Sequence, residues 1–404
     1  MSKKVVLGFS GGLDTSFCVK YFTEELGYEV HSIIVNTGGF NKEELKHIEQ
    51  HAFALGVKSH KAVEAEESYY NTIIKFLVFG NVLKNNTYPL SVSAERLIQA
   101  LHISDYTEEL GADAVAHGST GAGNDQVRFD MIFNIMIPGV EIITPIRDLK
   151  LSREAEIEYL KSKNVEMNFE KNAYSINKGL WGTSVGGKET LNSYGIIPEE
   201  VWPTQVTKTV AEEIKLRFEM GELTEVNGQP FESPVKAIQY VQELAGPYGI
   251  GRDIHVGDTI IGIKGRVGFE AAAPMVIIKA HHALEKHVLT KWQLNWKDQL
   301  ALFYGNWLHE GQIMDPVMRD IEAFFTHSQK NVTGDVSVQL RPYHFQILGI
   351  ESEYDLMSAK FGKYGEMNNG WTGQDVRGFS KIFGNQTMIW HQVKDSAAPR
   401  PKAS

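Results

Sequence analysis

Two glycine-bearing stretches carry residue types that can do chemistry. In "GFSGGLDTS", Gly8 to Ser16, an apolar run ends at Phe9, Ser10-Gly11-Gly12 turns the chain, and Leu13, Asp14, Thr15 and Ser16 open a helix. Paired glycines let N–H groups point inward, the hydroxyls of Ser10, Thr15 and Ser16 add donors, and a helix N-terminus adds positive dipole. Together they make a cradle for an anion such as a phosphate. Asp14 is out of place there unless it caps the helix or holds a magnesium ion that accompanies the phosphates. An ordinary capped βα turn is the alternative. The second stretch, "AHGSTGAGNDQVRFD", Ala116 to Asp130, again sets glycines between a strand and a helix. Asn124 and Arg128 are four apart and share a helical face, with Asp125 adjacent. A guanidinium suits a carboxylate or carbonyl, an amide both donates and accepts, and a carboxylate receives an amine, a combination suited to an amino acid. A solvated helix start capped by Asn or Asp is the competing reading.

The elements around these loops alternate. "KVVLGFS", "EVHSIIVNT", "ADAVAHG" and "EIITP" read as buried strands. "DTSFCVKYFTEELG", "NKEELKHIEQHAFALG", "NDQVRFDMIFNIMI" and "SREAEIEYLKSKN" read as helices, with Asn41 and Glu44 spaced as a capping box and Ser152 as a helix start. This pattern predicts an α/β fold with a parallel, Rossmann-like sheet that binds ligands outside the carboxyl ends of its strands, where both glycine loops fall. We therefore expect a nucleotide-binding domain over 1–168, an α+β domain over 169–352, a glycine-rich, aromatic arm over 353–393 that packs on another subunit, and a disordered tail over 394–404. The chain has 404 residues, 42% of them hydrophobic, enough for two cores. A net charge of -10 argues against a nucleic-acid partner, and no apolar stretch reaches membrane-spanning length, so a cytoplasmic protein with small-molecule substrates is expected. Cys18, the single cysteine, reads as a buried thiol on the sheet-facing side of its helix.

"SGGLDTS" resembles the pyrophosphatase loop (PP-loop) of enzymes that cut ATP between its α and β phosphates. Together with "HGSTGAGNDQVRF", "YPL" at Tyr88 to Leu90 and "YSINKGLWGTS" at Tyr174 to Ser184, it resembles the argininosuccinate synthase family, in order and at family-like spacing from Val5 to about residue 340. The resemblance implies a PP-loop nucleotide-binding domain followed by a synthetase domain, and ATP-dependent joining of citrulline and aspartate to argininosuccinate with release of AMP and pyrophosphate. The ureido oxygen of citrulline would attack the α-phosphate, and the aspartate amine would then displace AMP. Carried over by position, Gly8, Phe9, Ser10, Gly11, Gly12, Leu13, Asp14, Thr15, Ser16, Val35 and Gly118 would hold ATP with its Mg2+. Thr120, Asn124 and Asp125 would hold aspartate. Tyr88, Val92, Asn124, Arg128, Ser175, Ser184, Gly257 and Phe269 would surround citrulline. No side-chain nucleophile is implied; Asn124, Asp125 and Arg128 would position the reactants. The family also implies a homotetramer.

Several positions depart from the family. A threonine is replaced by Val92, "ADVGQ" by "VNTGG" at Val35 to Gly39, a lysine of the second loop by Ala122, a glutamate by Gly257 and a tyrosine by Phe269. The last two would hold the amino-acid end of citrulline, so either Asp258 replaces the glutamate or the acceptor is an α-N-acylated citrulline such as N-acetyl- or N-succinylcitrulline. Two other readings compete: a tRNA-modifying enzyme with the same loop, and an adenine-nucleotide sensor without chemistry. "GTSVGGKET" has Walker spacing, but Glu189 stands where a magnesium-binding hydroxyl belongs. His47 and His51, like His281 and His282, lack a metal-site arrangement and read as packed or solvated. His117 either approaches ATP or is a hydrogen-bonded structural residue.

Overall fold

A computed structural model describes residues 2–167, 174–358, 362, 364–366 and 370–394. The boundary expected at 168/169 and residues 395–404 of the expected tail lie outside the described residues. The chain divides into two compact units, Met1–Tyr354 and Asp355–Ser404.

The first unit begins with β1 (Lys4–Gly8), α1 (Leu13–Lys20), β2 (Glu29–Asn36), α2 (Lys42–Leu55) and β3 (Ser59–Glu64). It continues through α3 (Ser91–Leu110), β4 (Ala114–Ala116), α4 (Asp125–Met136), β5 (Glu141–Ile143) and α5 (Arg153–Ser162). The strands form one parallel sheet in the order β3-β2-β1-β4-β5. Both its faces are covered, which is why β1 reads as an unbroken apolar run. Val5 and Leu7 pack with Phe17, Leu55 and Leu160 on one face, while Val6 packs with Ala100 and Ile103 of α3 on the other. Asn41 and Glu44 form the capping box on α2, and Ser152 caps α5. After β3 the chain crosses over β1 to β4, so the strand order reverses between them. The carboxyl ends of β1 and β4 frame the crevice where such sheets bind ligands.

The rest of this unit is antiparallel. β6 (Ser175–Gly179), β7 (Gly182–Gly186), β8 (Glu212–Glu219), β9 (Glu222–Val226) and β10 (Gln229–Pro230) are followed by α6 (Pro234–Ala245). Then come β11 (Arg252–Asp258), β12 (Lys264–Glu270), α7 (Ala272–Val288), α8 (Lys291–His309), α9 (Pro316–Ser328), β13 (Gly334–Arg341) and β14 (His344–Glu351). One sheet runs β10-β9-β8-β13-β14 and the other β11-β12-β7-β6. The latter is pinned to the parallel half by Leu180 N donating to Thr37 O at 2.8 Å and by Trp181 Nε1 donating to Pro89 O at 3.0 Å. A continuous core runs from Val6 through α3 and α7 to Leu340.

The second unit contains α10 (Gly373–Phe383), capped by Thr372 with Asp375, and α11 (Asn385–Lys394). Val376, Phe379, Ile382 and Phe383 give α10 an apolar stripe at helical spacing.

Candidate active site

The first glycine loop is built as an anion cradle. Gly11 has φ 75°, a left-handed conformation that favours glycine, and Gly12 takes the N-cap position of α1 with no side-chain capping bond. The N–H groups at the helix start are thereby left for a ligand. Asp14 therefore does not cap the helix. Its carboxyl instead meets that of Glu156 on α5, and burial followed by Asp14 pushes the Glu156 carboxyl up to about 8. Glu156 Oε2 is buried without a hydrogen-bond donor of its own. The Ser10 and Thr15 hydroxyls lie 3.4 Å apart on the wall of the cleft, but Ser16, a third expected donor, is fully buried and directs its hydroxyl to His51 Nε2 at 3.0 Å. Ser16 thus braces the loop against α2 and does not offer a hydroxyl to a ligand. His51 is accounted for by this contact.

The second loop closes onto the first. A Cβ on Gly118 would stand 3.2 Å from both Asp14 Cβ and Thr15 Cγ2, so the two loops touch through a position with no side chain. Gln126 Nε2 donates to the carbonyls of Gly121 and Gly123 at 2.7 and 3.2 Å. His117 is hydrogen-bonded to Asp130 through Nε2 at 2.8 Å and receives Ser119 N on Nδ1, while also forming part of the cleft wall. Asn124 sits at the N-cap of α4 without capping it. Its Oδ1 accepts from Ile260 N at 2.8 Å, so the expected helix cap is replaced by a tie to the loop after β11.

Asp125, its side chain about a third exposed to the cleft, is the shared partner of two arginines. Arg96 Nε donates to its Oδ2 at 3.0 Å and Arg128 Nη1 to its Oδ1 at 2.9 Å. Burial alone would raise this carboxyl, but Arg96 and then Arg128 outweigh it and hold it below the ordinary aspartate range. Arg128 also donates from Nε and Nη2 to His309 O, at 3.0 and 2.8 Å. The fork expected to be open for a ligand carboxylate is thus largely engaged within the protein. Arg96 extends the cluster to Glu95, Gln99 and Asn177 at 2.8–3.0 Å. Burial, opposed by Arg96, pushes the Glu95 carboxyl up to about 7.

The opposite wall comes from the β11-β12-β7-β6 sheet. Tyr88 lies between two rings, with His255 at 5.0 Å and Phe269 at 5.3 Å between centroids. Its hydroxyl accepts from Ser91 Oγ and Val92 N at 3.3 and 3.2 Å, at the start of α3. Ser184 on β7 pairs with Phe269 across the sheet and with Asn177 on β6. Phe269 is itself buried behind Tyr88. Side chains alternate along β11: His255 and Gly257 face inward, Val256 and Asp258 outward. Asp258 is mostly exposed and pairs with Lys264 at 2.6 Å. Its side chain leaves the strand on the face opposite position 257, at the rim of the cleft.

One cleft of about 1020 Å³ joins these parts. It is lined by Gly8, Phe9, Ser10, Gly12, Leu13, Asp14, Thr15, Val35 and Gly118 at the end of the first glycine loop, and by Thr120, Asn124, Asp125 and Arg128 in the middle. Tyr88, Val92, Ser175, Ser184 and Gly257 line the far wall. Gly11, Ser16 and Phe269 lie behind this lining. Lys188 of the Walker-spaced stretch is outside it, with its side chain exposed and 3.8 Å from Glu189. Cys18 is fully buried, and burial pushes its thiol well up. Arg96, Glu95, His255 and His309 also line the cleft and were not anticipated. Only Glu95 and Arg96 left a trace in the sequence, as adjacent charges on the otherwise apolar face of "SAERLIQAL".

A parallel sheet with an anion-binding glycine loop at its switch point, joined to a second sheet bearing polar side chains, is the architecture of a nucleotide-dependent enzyme with a further substrate site. Residues 4–166 match the family model described as the arginosuccinate synthase N-terminal HUP domain, and residues 174–390 match that of the C-terminal domain. The chain belongs to the argininosuccinate synthase family. It is 37% identical over 397 residues to the argininosuccinate synthase of Methanocaldococcus jannaschii, covering 98% of this chain and 99% of that protein. It is 35% identical over 404 residues to that of Xanthomonas axonopodis pv. citri, covering 97% and 95%. With that of Dictyoglomus thermophilum it shares 34% over 391 residues, covering 96% and 97%. Among the described residues no helix is long and apolar enough to cross a membrane.

Proposed function

We propose that this chain joins citrulline and aspartate to give argininosuccinate, at the cost of ATP cleaved to AMP and pyrophosphate. The observation that carries this reading is the single cleft in which an anion cradle, the Asp125 cluster and the Tyr88–Ser184 wall face one another. A nucleotide alone would leave the last two without a use, which disfavours the sensor. One cysteine and a net charge of -10 disfavour a tRNA substrate.

In this reading the first loop and the N-terminus of α1 hold the phosphates, while Val35 and Gly118 bound the nucleotide. Asp14 and Glu156 fit a magnesium ion arriving with ATP: they are oxygen donors in contact at the cradle, one with an orphaned buried oxygen. Such an ion would offset phosphate charge. Tyr88, Ser175 and Ser184 orient the acceptor so that its ureido oxygen meets the α-phosphorus in line with departing pyrophosphate. Thr120, Asn124 and Asp125 hold the aspartate whose amine then attacks the ureido carbon and expels AMP. Every reactant is anionic or becomes so, so positioning and fixed positive charge supply most of the rate. Arg96 and Arg128 keep Asp125 ionised and immobile. We read the amphipathic stripe of α10 as an assembly element, consistent with a homotetramer.

The test measures AMP release with each component omitted in turn. Sustained release is expected only with ATP, citrulline-type acceptor and aspartate together. Sustained release independent of aspartate, or dependent on added tRNA, would overturn the assignment.

A further inference from the structure

Among the described residues, each carboxylate that lines the cleft already has a side-chain partner of its own. Among the described residues these are Asp14, Glu95, Asp125 and Asp258. Asp14 faces Glu156 at the first glycine loop, Glu95 and Asp125 are bound to arginines, and Asp258, exposed at the rim, is paired with Lys264. Where β11 turns its inner face to the cleft, Gly257 leaves a gap, and the His255 imidazole fills it. A Cβ on residue 257 would stand only 2.6 Å from His255 Nε2. The ring is fixed by stacking on Tyr88, its Nδ1 is buried with no partner, and Nε2 lies at the gap in the cleft wall. The ionisable groups acting on this ring and on neighbouring His309 add positive charge: Lys84 bears on both, and Arg128 on His309. Burial, then Lys84, lowers the His255 pKa, and burial with Arg128 and Lys84 takes His309 down to about 3. Both rings are therefore uncharged near neutral pH.

We propose that His255, seated in the gap left by Gly257, is the specificity-determining residue that contacts the α-nitrogen substituent of the acceptor, through a hydrogen bond at Nε2 and without a counter-charge. This deepens the reading of the cleft as a citrulline–aspartate ligase and rests on it. A site that recognises a hydrogen bond rather than a positive charge admits an amide at the α-nitrogen. Acceptors whose α-nitrogen is acylated are then substrates of the same order as free citrulline. A carboxylate restored at position 257 would reverse this, because it pairs with the ammonium and is left unpaired by an amide.

The experiment compares kcat/KM for citrulline and α-N-acetylcitrulline, by AMP release, in the wild-type chain, His255→Ala, and His255→Ala with Gly257→Glu. The wild type is expected to use the two acceptors within about tenfold of each other. His255→Ala is expected to raise the acceptor KM by about tenfold with kcat and the KM for ATP within about twofold, and the double variant to shift the ratio at least about tenfold toward free citrulline. Val256→Ala, on the outer face of the same strand, controls for folding and should change neither acceptor's KM. A wild-type preference for free citrulline above about tenfold, an unchanged KM in His255→Ala, or an unchanged ratio in the double variant overturns the proposal and leaves the ligase assignment standing. No AMP release with either acceptor overturns both.

Discussion

Asp125→Ala is expected to lower kcat/KM for aspartate by on the order of 10³, while the Kd for ATP, measured by calorimetry, changes less than about threefold. Asp125 is the shared partner of Arg96 and Arg128, each hydrogen-bonded to a different carboxylate oxygen. Removing it strips Arg128 of its carboxylate partner and leaves Arg96 with Glu95 alone, and it removes the acceptor expected for the aspartate amine. Because Asp125 is about a third exposed, the stability loss should stay below the ~3–5 kcal/mol of a fully buried pair. The nucleotide site proposed above is built from different residues, chiefly the Ser10–Thr15 loop. Asp125→Asn should fall between, since an amide keeps one acceptor but not the charge. If aspartate turnover were unchanged in Asp125→Ala, the cluster would be scaffolding and the substrate placement wrong.

The second large effect lies far from the chemistry. Glu285→Ala should destabilise the chain by about 3–5 kcal/mol, read as a lower denaturation midpoint, with the substrate KM values unchanged in the folded protein. Lys297 and Glu285 have no exposed side-chain surface and pair at 2.8 Å, with Lys297 also donating to Phe79 O. His281, its neighbour one helical turn away, bridges Asn81 and Gln329, and burial lowers its imidazole to about 4. The Glu285→Leu and Lys297→Met double variant should recover most of the loss, because it deletes both charges rather than stranding one. Failure of the double variant to recover would mean that the network's other hydrogen bonds, and not charge burial, set the cost. His281 is thus part of this buried network; among the described residues no cluster of three or more metal-ligating side chains occurs.

These two clusters show where sequence was informative and where it was not. Local grammar was readable: the Asn41–Glu44 box, the Ser152 cap, the buried run of β1, and glycine loops following β1 and β4 all depend on neighbours within a few residues. Long-range pairing was not. Arg128 is held by a carbonyl 181 positions away, Asn124 by a backbone N–H 136 positions away, and Asp14 by contact with a carboxyl on α5. Nothing in the local pattern around "NDQVR" signals that its arginine is already engaged. Strand phase bears on Asp258 in the same way: one residue along β11 turns the side chain to the opposite face, so it meets the cleft only at its rim. His255 was invisible for the same reason in reverse, since its proximity to Gly257 is a consequence of phase and only its contact with Tyr88 gives it a place in the site.

In the proposed reaction the acceptor's ureido oxygen becomes bonded to the α-phosphorus of ATP before the aspartate amine displaces AMP. Citrulline carrying an isotopically heavy ureido oxygen, incubated with ATP and aspartate, traces that bond directly when the products are weighed by mass spectrometry. The heavy oxygen should appear in AMP, about one atom per turnover, and in neither pyrophosphate nor argininosuccinate. Heavy oxygen in pyrophosphate, or AMP formed without it, would contradict the account.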